Sequence, residues 1–350
     1  MELLRRQHEE ARARLPPDAY DYFAGGAGDE LTLRENEEAW RHVWLRPRQL
    51  LGLAAADPSV ELLGAAMAAP IVLAPAALQG LLHPDAELAV ARAAAAAGLV
   101  TCLSTRATTD LADVAAATDA PKWFQLYMDR DRSTAQRVLE RAAEHSYAQV
   151  VMTIDFPVTG RRERELRHGR TALPPGVALA DHLGAWEQDD GDKPRIGGWH
   201  APSWEDVGWV REVSGLPVML KGVLTAEDAL LAEQAGASAV VVSNHGARQL
   251  DGVVPTAVAL REVAAELDGR LPVLVDGGIR SGGDVVRALA LGADAVLVGR
   301  PYLWALAAGG AEGVREALAA LVEDTARSLA LVGAATPADV TAAHARLRGW

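Results

Sequence analysis

The sequence predicts an α/β fold, a (β/α)8 TIM barrel, and three observations carry the prediction. Short apolar runs rich in β-branched residues alternate with Ala/Leu/Glu/Arg stretches of helical character. Eight such runs are present, and alternating β and α elements imply parallel strands joined by right-handed crossovers. Two of the units also repeat one another. Pro217-Val218-Met219-Leu220-Lys221-Gly222 recurs 55 residues on as Pro272-Val273-Leu274-Val275-Asp276-Gly277. Ala235-Gly236-Ala237-Ser238-Ala239-Val240 recurs 56 residues on as Leu291-Gly292-Ala293-Asp294-Ala295-Val296. A doubly wound sheet is the alternative, but it normally carries its phosphate-binding glycines after the first strand, and no G-x-G-x-x-G stands there.

Residues 1–65 look mainly helical and are expected to cap one end of the barrel. The expected strands are Ile71–Ala74, Leu99–Leu103, Trp123–Tyr127, Gln149–Ile154, Val218–Leu220, Ala239–Val242, Val273–Val275 and Ala295–Val298. Helical patterns Ala86–Ala97, Arg132–Ala143, Ala226–Ala235, Val258–Leu267 and Gly283–Leu291 fall between them. Residues 160–210 break the rhythm after strand four. They hold Leu173-Pro174-Pro175-Gly176, the acidic Glu187-Gln188-Asp189-Asp190-Gly191-Asp192, and Gly197-Gly198-Trp199. A connection of that length is uncommon unless functional or disordered, and a partly mobile lid over the active site is expected. Gly313 to about Val332 reads as a helix closing the barrel. Residues 1–350 are therefore expected to form a single barrel domain.

Half of the 350 residues are hydrophobic, enough for a sizeable core. A net charge of −13 argues against a nucleic-acid partner, which demands a basic footprint, and does not favour an anionic membrane surface. An anionic substrate must then be held by locally clustered arginines. The single cysteine, Cys102, excludes an internal disulfide and fits a packed thiol in a reducing compartment. The N-terminus has no apolar stretch of the signal-peptide kind. Leu62 to Leu82 carries no charge and raises a transmembrane question. Pro70 and Pro75 bracket Ile71-Val72-Leu73-Ala74, however, so a helix tail or turn leading into a buried strand is the better reading. A soluble cytoplasmic protein is expected.

In such barrels the catalytic groups lie at the C-terminal ends of the strands. Strand six leads into Ser243-Asn244-His245-Gly246-Ala247-Arg248-Gln249-Leu250-Asp251-Gly252. A base and an anion clamp three residues apart suit proton abstraction from a substrate carrying a carboxylate; the plainer alternative is a polar turn with a satisfied histidine. The other strand ends bring Ala76-Ala77, Ser104-Thr105-Arg106, Gln125 with Tyr127, Thr153-Ile154-Asp155 followed by Arg161-Arg162, and Lys221-Gly222. Strands seven and eight end in Asp276-Gly277-Gly278-Ile279-Arg280 and Gly299-Arg300-Pro301. Loops there often bind phosphate, through glycine backbone N–H groups and arginine forks. Tight turns with surface arginines would look the same.

The Ser243–Gly252 run resembles, nearly letter for letter, the active-site signature of the FMN-dependent 2-hydroxy-acid oxidases and dehydrogenases. The likeness extends over strands four to eight and the N-terminal segment, and is weakest from Leu166 to Trp204. It implies an FMN phosphate near Gly278, Arg280, Gly299 and Arg300, with Asp276 accepting from ribityl hydroxyls. It puts Ser104, Gln125, Thr153, Lys221, Ser243 and the backbone of Ala76 and Ala77 around the flavin ring, Lys221 favouring the reduced anionic form. Arg162 and Arg248 match the pair that holds the substrate carboxylate, and Tyr22, in Tyr20-Asp21-Tyr22-Phe23, matches a tyrosine that also bonds it. Tyr127 faces the substrate hydroxyl, His245 is the base, and Asp155 pairs with the histidine.

The resemblance implies oxidation of an (S)-2-hydroxy acid to the 2-oxo acid. His245 takes a proton from either the hydroxyl or Cα, and the residues do not choose. One position departs from glycolate oxidases: Arg106 stands where they carry an aromatic residue beside the substrate side chain. It either meets a second anionic or polar group on the substrate or turns outward to bond the lid. Ala77 leans towards O2 as acceptor, giving H2O2, and no haem domain or membrane-binding segment is recognisable. A dehydrogenase using a quinone or protein acceptor, a non-redox FMN barrel isomerase and a non-catalytic flavin binder are the rivals. A homotetramer is expected by resemblance alone.

Overall fold

Strands covered on both faces have no polar face to show, which is why the barrel runs read as continuous apolar letters. A computed structural model describes residues 1–128, 131–169, 173, 177–180 and 201–348. It opens with α1 (Glu2–Arg14), α2 (Pro17–Ala24) and α3 (Leu31–Arg41), then β1 (Val43–Leu45), β2 (Val60–Leu62) and β3 (Ala65–Met67). The expected barrel follows as β4 (Ile71–Leu73), β5 (Val100–Ser104), β6 (Lys122–Leu126), β7 (Gln149–Thr153), β8 (Val218–Val223), β9 (Ala239–Val242), β10 (Val273–Val275) and β11 (Ala295–Val298). These eight strands pair in parallel in chain order, and β4 pairs with β11 to close the ring. A last strand, β12 (Ala345–Leu347), pairs antiparallel with β1.

The period of two sorts the strand residues into two cores. Val72, Cys102, Trp123, Val151, Met219, Val241, Leu274 and Leu297 fill the barrel interior. Their neighbours, among them Leu73, Leu103, Phe124, Val150 and Leu220, pack outward with the helices. Cys102 is thus a packed thiol, and burial pushes its pKa up.

The surrounding helices are α4 (Ala86–Ala96), α5 (Leu111–Ala116), α6 (Arg132–Glu144), α7 (Glu163–His168), α8 (Trp204–Ser214), α9 (Ala226–Gln234), α10 (Thr256–Leu267), α11 (Gly282–Ala290) and α12 (Arg300–Val332). Several start where a short polar side chain accepts from the first-turn backbone: Asp110, Asp131, Thr225 and Ser281. Helix α12 begins directly after β11, thirteen residues before the expected Gly313, and bends at Gly309–Gly310, where the backbone leaves the helical region.

The N-terminal expectation needs correction. Residues 1–41 are helical, but residues 43–67 hold three short strands. The β2–β3 hairpin turns at Leu63-Gly64, both at positive φ. Its Ala65 and Met67 join the interior cluster and plug the end of the barrel at which the strands start. Helices α2 and α3 reach the other end, over the strand exits. The uncharged stretch Leu62–Leu82 is therefore hairpin, strand and turn. Among the described residues no helix is long and apolar enough to cross a membrane. Most of the expected lid, residues 170–172, 174–176 and 181–200, lies outside the described residues, with Pro174-Pro175-Gly176, the acidic run and Gly197-Gly198-Trp199. Its described part puts Leu173 and buried Leu179 against Leu78, Ala77 and Tyr22, and Ala180 N–H donates to Ala107 O at 2.9 Å.

Candidate active site

The exit of β9 is a strained turn. His245, Gly246 and Ala247 have φ of 58°, 61° and 65°, three consecutive residues in the left-handed region, two of them with side chains. The surroundings over-determine it. Ser243 Oγ accepts from His245 N–H at 3.1 Å, and Asn244 Oδ1 accepts from Ala247 N–H at 3.1 Å. Asn244 is itself bonded to Asn36 of α3.

The turn aims the imidazole at two partners. His245 Nδ1 lies 2.8 Å from Asp155 Oδ1, and Nε2 lies 3.2 Å from Tyr127 Oη. Phe156 packs against both rings. Asp155 approaches because β8 carries Gly222, where a Cβ would stand 2.7 Å from Asp155 Cβ. Burial lowers the His245 pKa, and this outweighs the opposing pull of Asp155. Burial works to raise the Asp155 pKa, yet His245 and Lys221 hold it below its usual value. Tyr127 is pushed up to about 12 by burial and by Asp155. The consistent protonation state is a neutral histidine: Nδ1–H donates to the ionised Asp155, and Nε2 accepts from the Tyr127 hydroxyl.

Two guanidinium groups border this chain. Arg162 Nε donates to Arg248 O at 3.1 Å. Arg248 Nη1 donates to the carbonyls of Tyr22 and Gly25, and its guanidinium lies 5.0 Å from the Tyr22 ring centre. Burial and the neighbouring Arg162 lower the Arg248 pKa. Both forks reach Glu165 Oε1, Arg162 Nη1 at 3.3 Å and Arg248 Nη2 at 3.2 Å. Sequence reasoning missed Glu165. Its signal is the i, i+3 spacing from Arg162 at the start of α7.

A second polar cluster lines the strand exits beside the histidine. Lys221 Nζ donates to Ser243 Oγ at 2.8 Å and pairs with Asp276 Oδ2 at 2.9 Å. Burial alone would lower the Lys221 pKa, but Asp276 and Asp155 raise it. Gln125 is held on both sides: Ser104 Oγ and Thr105 N–H donate to Oε1, and Nε2 donates to Thr153 Oγ1. Ala76 and Ala77 are half-buried beyond β4. Asp276 Oδ1 and Arg106 Nε are buried without a hydrogen-bond partner. Among the described residues the Arg106 guanidinium has neither a carboxylate nor a carbonyl, and its backbone N–H donates to Ser104 Oγ.

The phosphate candidates are spread differently from expectation. Gly278, at φ 88°, is packed from behind: a Cβ would sit 2.2 Å from Asn36 O. Gly299 is open, a Cβ there meeting only Ala74 Cβ at 3.8 Å. Arg280 bonds Ile279 O and Glu37. Arg300 donates from Nε, Nη1 and Nη2 to the carbonyls of Phe23, Gly246 and Gly25, leaving two of its five N–H groups for anything else. Burial, with Arg280 and Arg248 nearby, lowers its pKa to about 9, still a cation at neutral pH.

Comparison with known proteins agrees with this layout. The family model described as FMN-dependent dehydrogenase matches residues 11–347. Glycolate oxidase 1 of Oryza sativa subsp. indica is 43% identical over 342 residues, covering 95% of this chain and 92% of the rice protein. Glycolate oxidase 3 of Arabidopsis thaliana is 42% identical, covering 95% and 93%. A crystal structure of mandelate oxidase with (S)-4-hydroxymandelic acid superposes with TM-score 0.92 at 41% identity, covering 98% of each chain. Another, with benzoyl-formic acid, gives 0.89 at 42% identity over 98% of each. The chain therefore belongs to the FMN-dependent dehydrogenase family, and FMN is its cofactor.

Proposed function

We propose that this chain oxidises an (S)-2-hydroxy acid to the 2-oxo acid, with O2 as final electron acceptor and H2O2 as second product. The observation that carries this reading is the Tyr127–His245–Asp155 chain opening beside the Arg162/Arg248 pair. Relatives named glycolate oxidase and mandelate oxidase support it. The Arg162 and Arg248 forks, helped by Tyr22, bind the substrate carboxylate. Tyr127 orients the hydroxyl. His245 Nε2 takes a proton from the substrate, and Asp155 stabilises the imidazolium that results.

The residues fit the cofactor. Asp276 Oδ1 is a buried acceptor awaiting a donor, which suits a ribityl hydroxyl. Lys221 is a buried cation, which suits the electron-rich edge of a flavin. Ser104, Gln125, Thr153, Ser243 and the backbone of Ala76 and Ala77 supply the remaining polar groups. Gly299 leaves room for a close backbone approach, and Arg280 with the two remaining N–H groups of Arg300 supplies charge for the phosphate beside Gly278. Bound FMN supplies the two-electron acceptor that no side chain can.

Arg106 faces the substrate's own side chain, supported by its lack of an ion pair among the described residues. Leu173 and Leu179, packed on Leu78 beside Ala77 and Tyr22, support the lid. The small Ala77 supports access of O2. A quinone or protein acceptor is the competing choice. A homotetramer in the cytoplasm, built from single barrels of residues 1–350, completes the proposal.

The test is anaerobic mixing of the FMN-loaded protein with a panel of 2-hydroxy acids, followed by air. Bleaching of the flavin absorbance by one acid and fast recolouring with peroxide is the expected result. Bleaching with slow recolouring moves the acceptor to a quinone or protein. No bleaching by any acid sinks the redox reading.

A further inference from the structure

Two buried guanidinium groups side by side are costly unless something compensates them. Here the compensation is internal. Arg162 and Arg248 side chains are only 11% and 15% exposed, and both reach the same oxygen, Glu165 Oε1, at 3.3 and 3.2 Å. A 2-hydroxy acid brings a carboxylate to the same two forks. Two carboxylates competing for one pair of cations repel each other, so both are not held equally well.

We propose that Glu165 is an internal counter-ion of the carboxylate clamp: it holds Arg162 and Arg248 in the substrate-free enzyme and yields them to the substrate carboxylate on binding. The proposal rests on the reading of Arg162 and Arg248 as that clamp. Three features support exchange by side-chain rotation. Glu165 is 29% exposed, so its carboxylate has water to turn to. Its backbone is anchored, because Arg164 bonds Glu30 at 2.6 Å and His168 bonds Asp21 at 2.7 Å, tying α7 to the N-terminal segment. Further, Arg162 Nε holds Arg248 O, and Arg248 Nη1 holds the Tyr22 and Gly25 carbonyls. The forks therefore stay in place when Glu165 leaves.

The consequence is a built-in tax on affinity. A ligand that must displace Glu165 binds more weakly by the fraction of time the clamp stands open. In return the clamp never presents a bare double cation to solvent anions, and Glu165 is at hand to recapture the arginines as the 2-oxo acid departs.

The experiment uses the FMN-loaded full chain and 2-hydroxyisobutyrate, which keeps the carboxylate and hydroxyl but has no Cα hydrogen to lose. Binding is titrated by the perturbation of flavin absorbance. Glu165→Gln is expected to tighten Kd about tenfold, roughly 1.4 kcal/mol, and to lower the KM of a reactive 2-hydroxy acid in parallel. Glu163→Gln, on the same helix and paired only with Arg161 at the surface, is expected to leave Kd unchanged. If Glu165→Gln does not fold, Glu165→Asp shortens the reach to both forks and is expected to tighten Kd likewise. Equal or weaker binding in the Glu165 variants, with a wild type that is reduced by a 2-hydroxy acid, overturns the counter-ion alone. A wild type that neither binds the probe nor is reduced by any 2-hydroxy acid overturns the clamp reading and the counter-ion with it.

Discussion

Asn36 and Asn244, 208 residues apart, exchange two hydrogen bonds of 2.8 Å each, amide to amide. Both side chains are buried. Asn244 precedes the base, so the first helices of the chain hold the strained turn that presents His245. Asn36→Ala strands the Asn244 amide, and a buried group left unsatisfied costs about 1–3 kcal/mol. We expect a loss of that size in denaturant unfolding and a fall in turnover. An unchanged unfolding midpoint would show that the turn stands without its brace.

His245→Ala is expected to keep the yellow cofactor and lose about 10²–10⁴-fold in the rate of flavin reduction, the usual range for a positioned base. Stopped-flow reduction by the best acid measures it. Near-normal reduction would refute the assignment.

The pH profile follows from burial. His245 must be neutral to accept a proton, and its pKa lies below the ordinary 6.5. The value of kcat/KM is expected to be flat at neutral pH and to fall only as pH drops through that lowered pKa. Folding stability changes in the same window, because the unfolded chain takes up a proton below about 6.5 that the folded one refuses. Stability therefore declines as pH falls from there. Asp155→Asn removes the group that raises the His245 pKa, so the acid limb moves lower still. An acid limb above pH 7 in the wild type contradicts this account.

Gly278→Ala is expected to fail structurally. The added Cβ meets the Asn36 carbonyl at 2.2 Å on a backbone at φ 88°. Loss of soluble protein or of bound FMN is the expected outcome on purification. A stable, yellow Gly278→Ala protein would mean that α3 gives way more easily than its packing implies.

Arg106→Leu tests the side-chain end of the substrate. With Arg106 facing the substrate, the wild type favours 2-hydroxy acids bearing a second carboxylate, and Arg106→Leu shifts kcat/KM towards uncharged side chains about tenfold or more. If both proteins rank the acids alike, Arg106 turns away from the substrate.

The barrel was legible because its strands are covered on both faces, so Ala239–Val242 or Ala295–Val298 stand out as unbroken apolar letters. Strand β8 runs three residues past its expected end because Lys221 and Gly222 read as loop, although Lys221 points its charge to Asp276 and Ser243. Residues 43–67 were misjudged for a different reason. Strand β1 finds its partner, β12, some 300 residues away, and no local pattern announces that pairing. The residues around His245 were legible through resemblance, and the structure brings Tyr127, Asp155, Arg162 and Arg248 together as the strand ends suggested. Glu165 escaped notice because Arg162-x-x-Glu165 looks like any surface pair on a helix. Gly278 was expected to make room for a ligand, whereas its lack of a side chain makes room for Asn36.

Arg300 fastens the carbonyls of Phe23 and Gly25 from the far end of the ring, 277 and 275 residues away, and β4 cannot be sealed until β11 arrives. On the ribosome this means a long wait. The first helices emerge, and the strands behind them assemble with an open seam, while the pieces that lock both are still unmade. Contacts of such wide separation form slowly and leave edges exposed meanwhile. The burden of misfolding in this protein falls on a nearly finished chain, and truncation close to its end is expected to do more harm than the few lost residues would suggest.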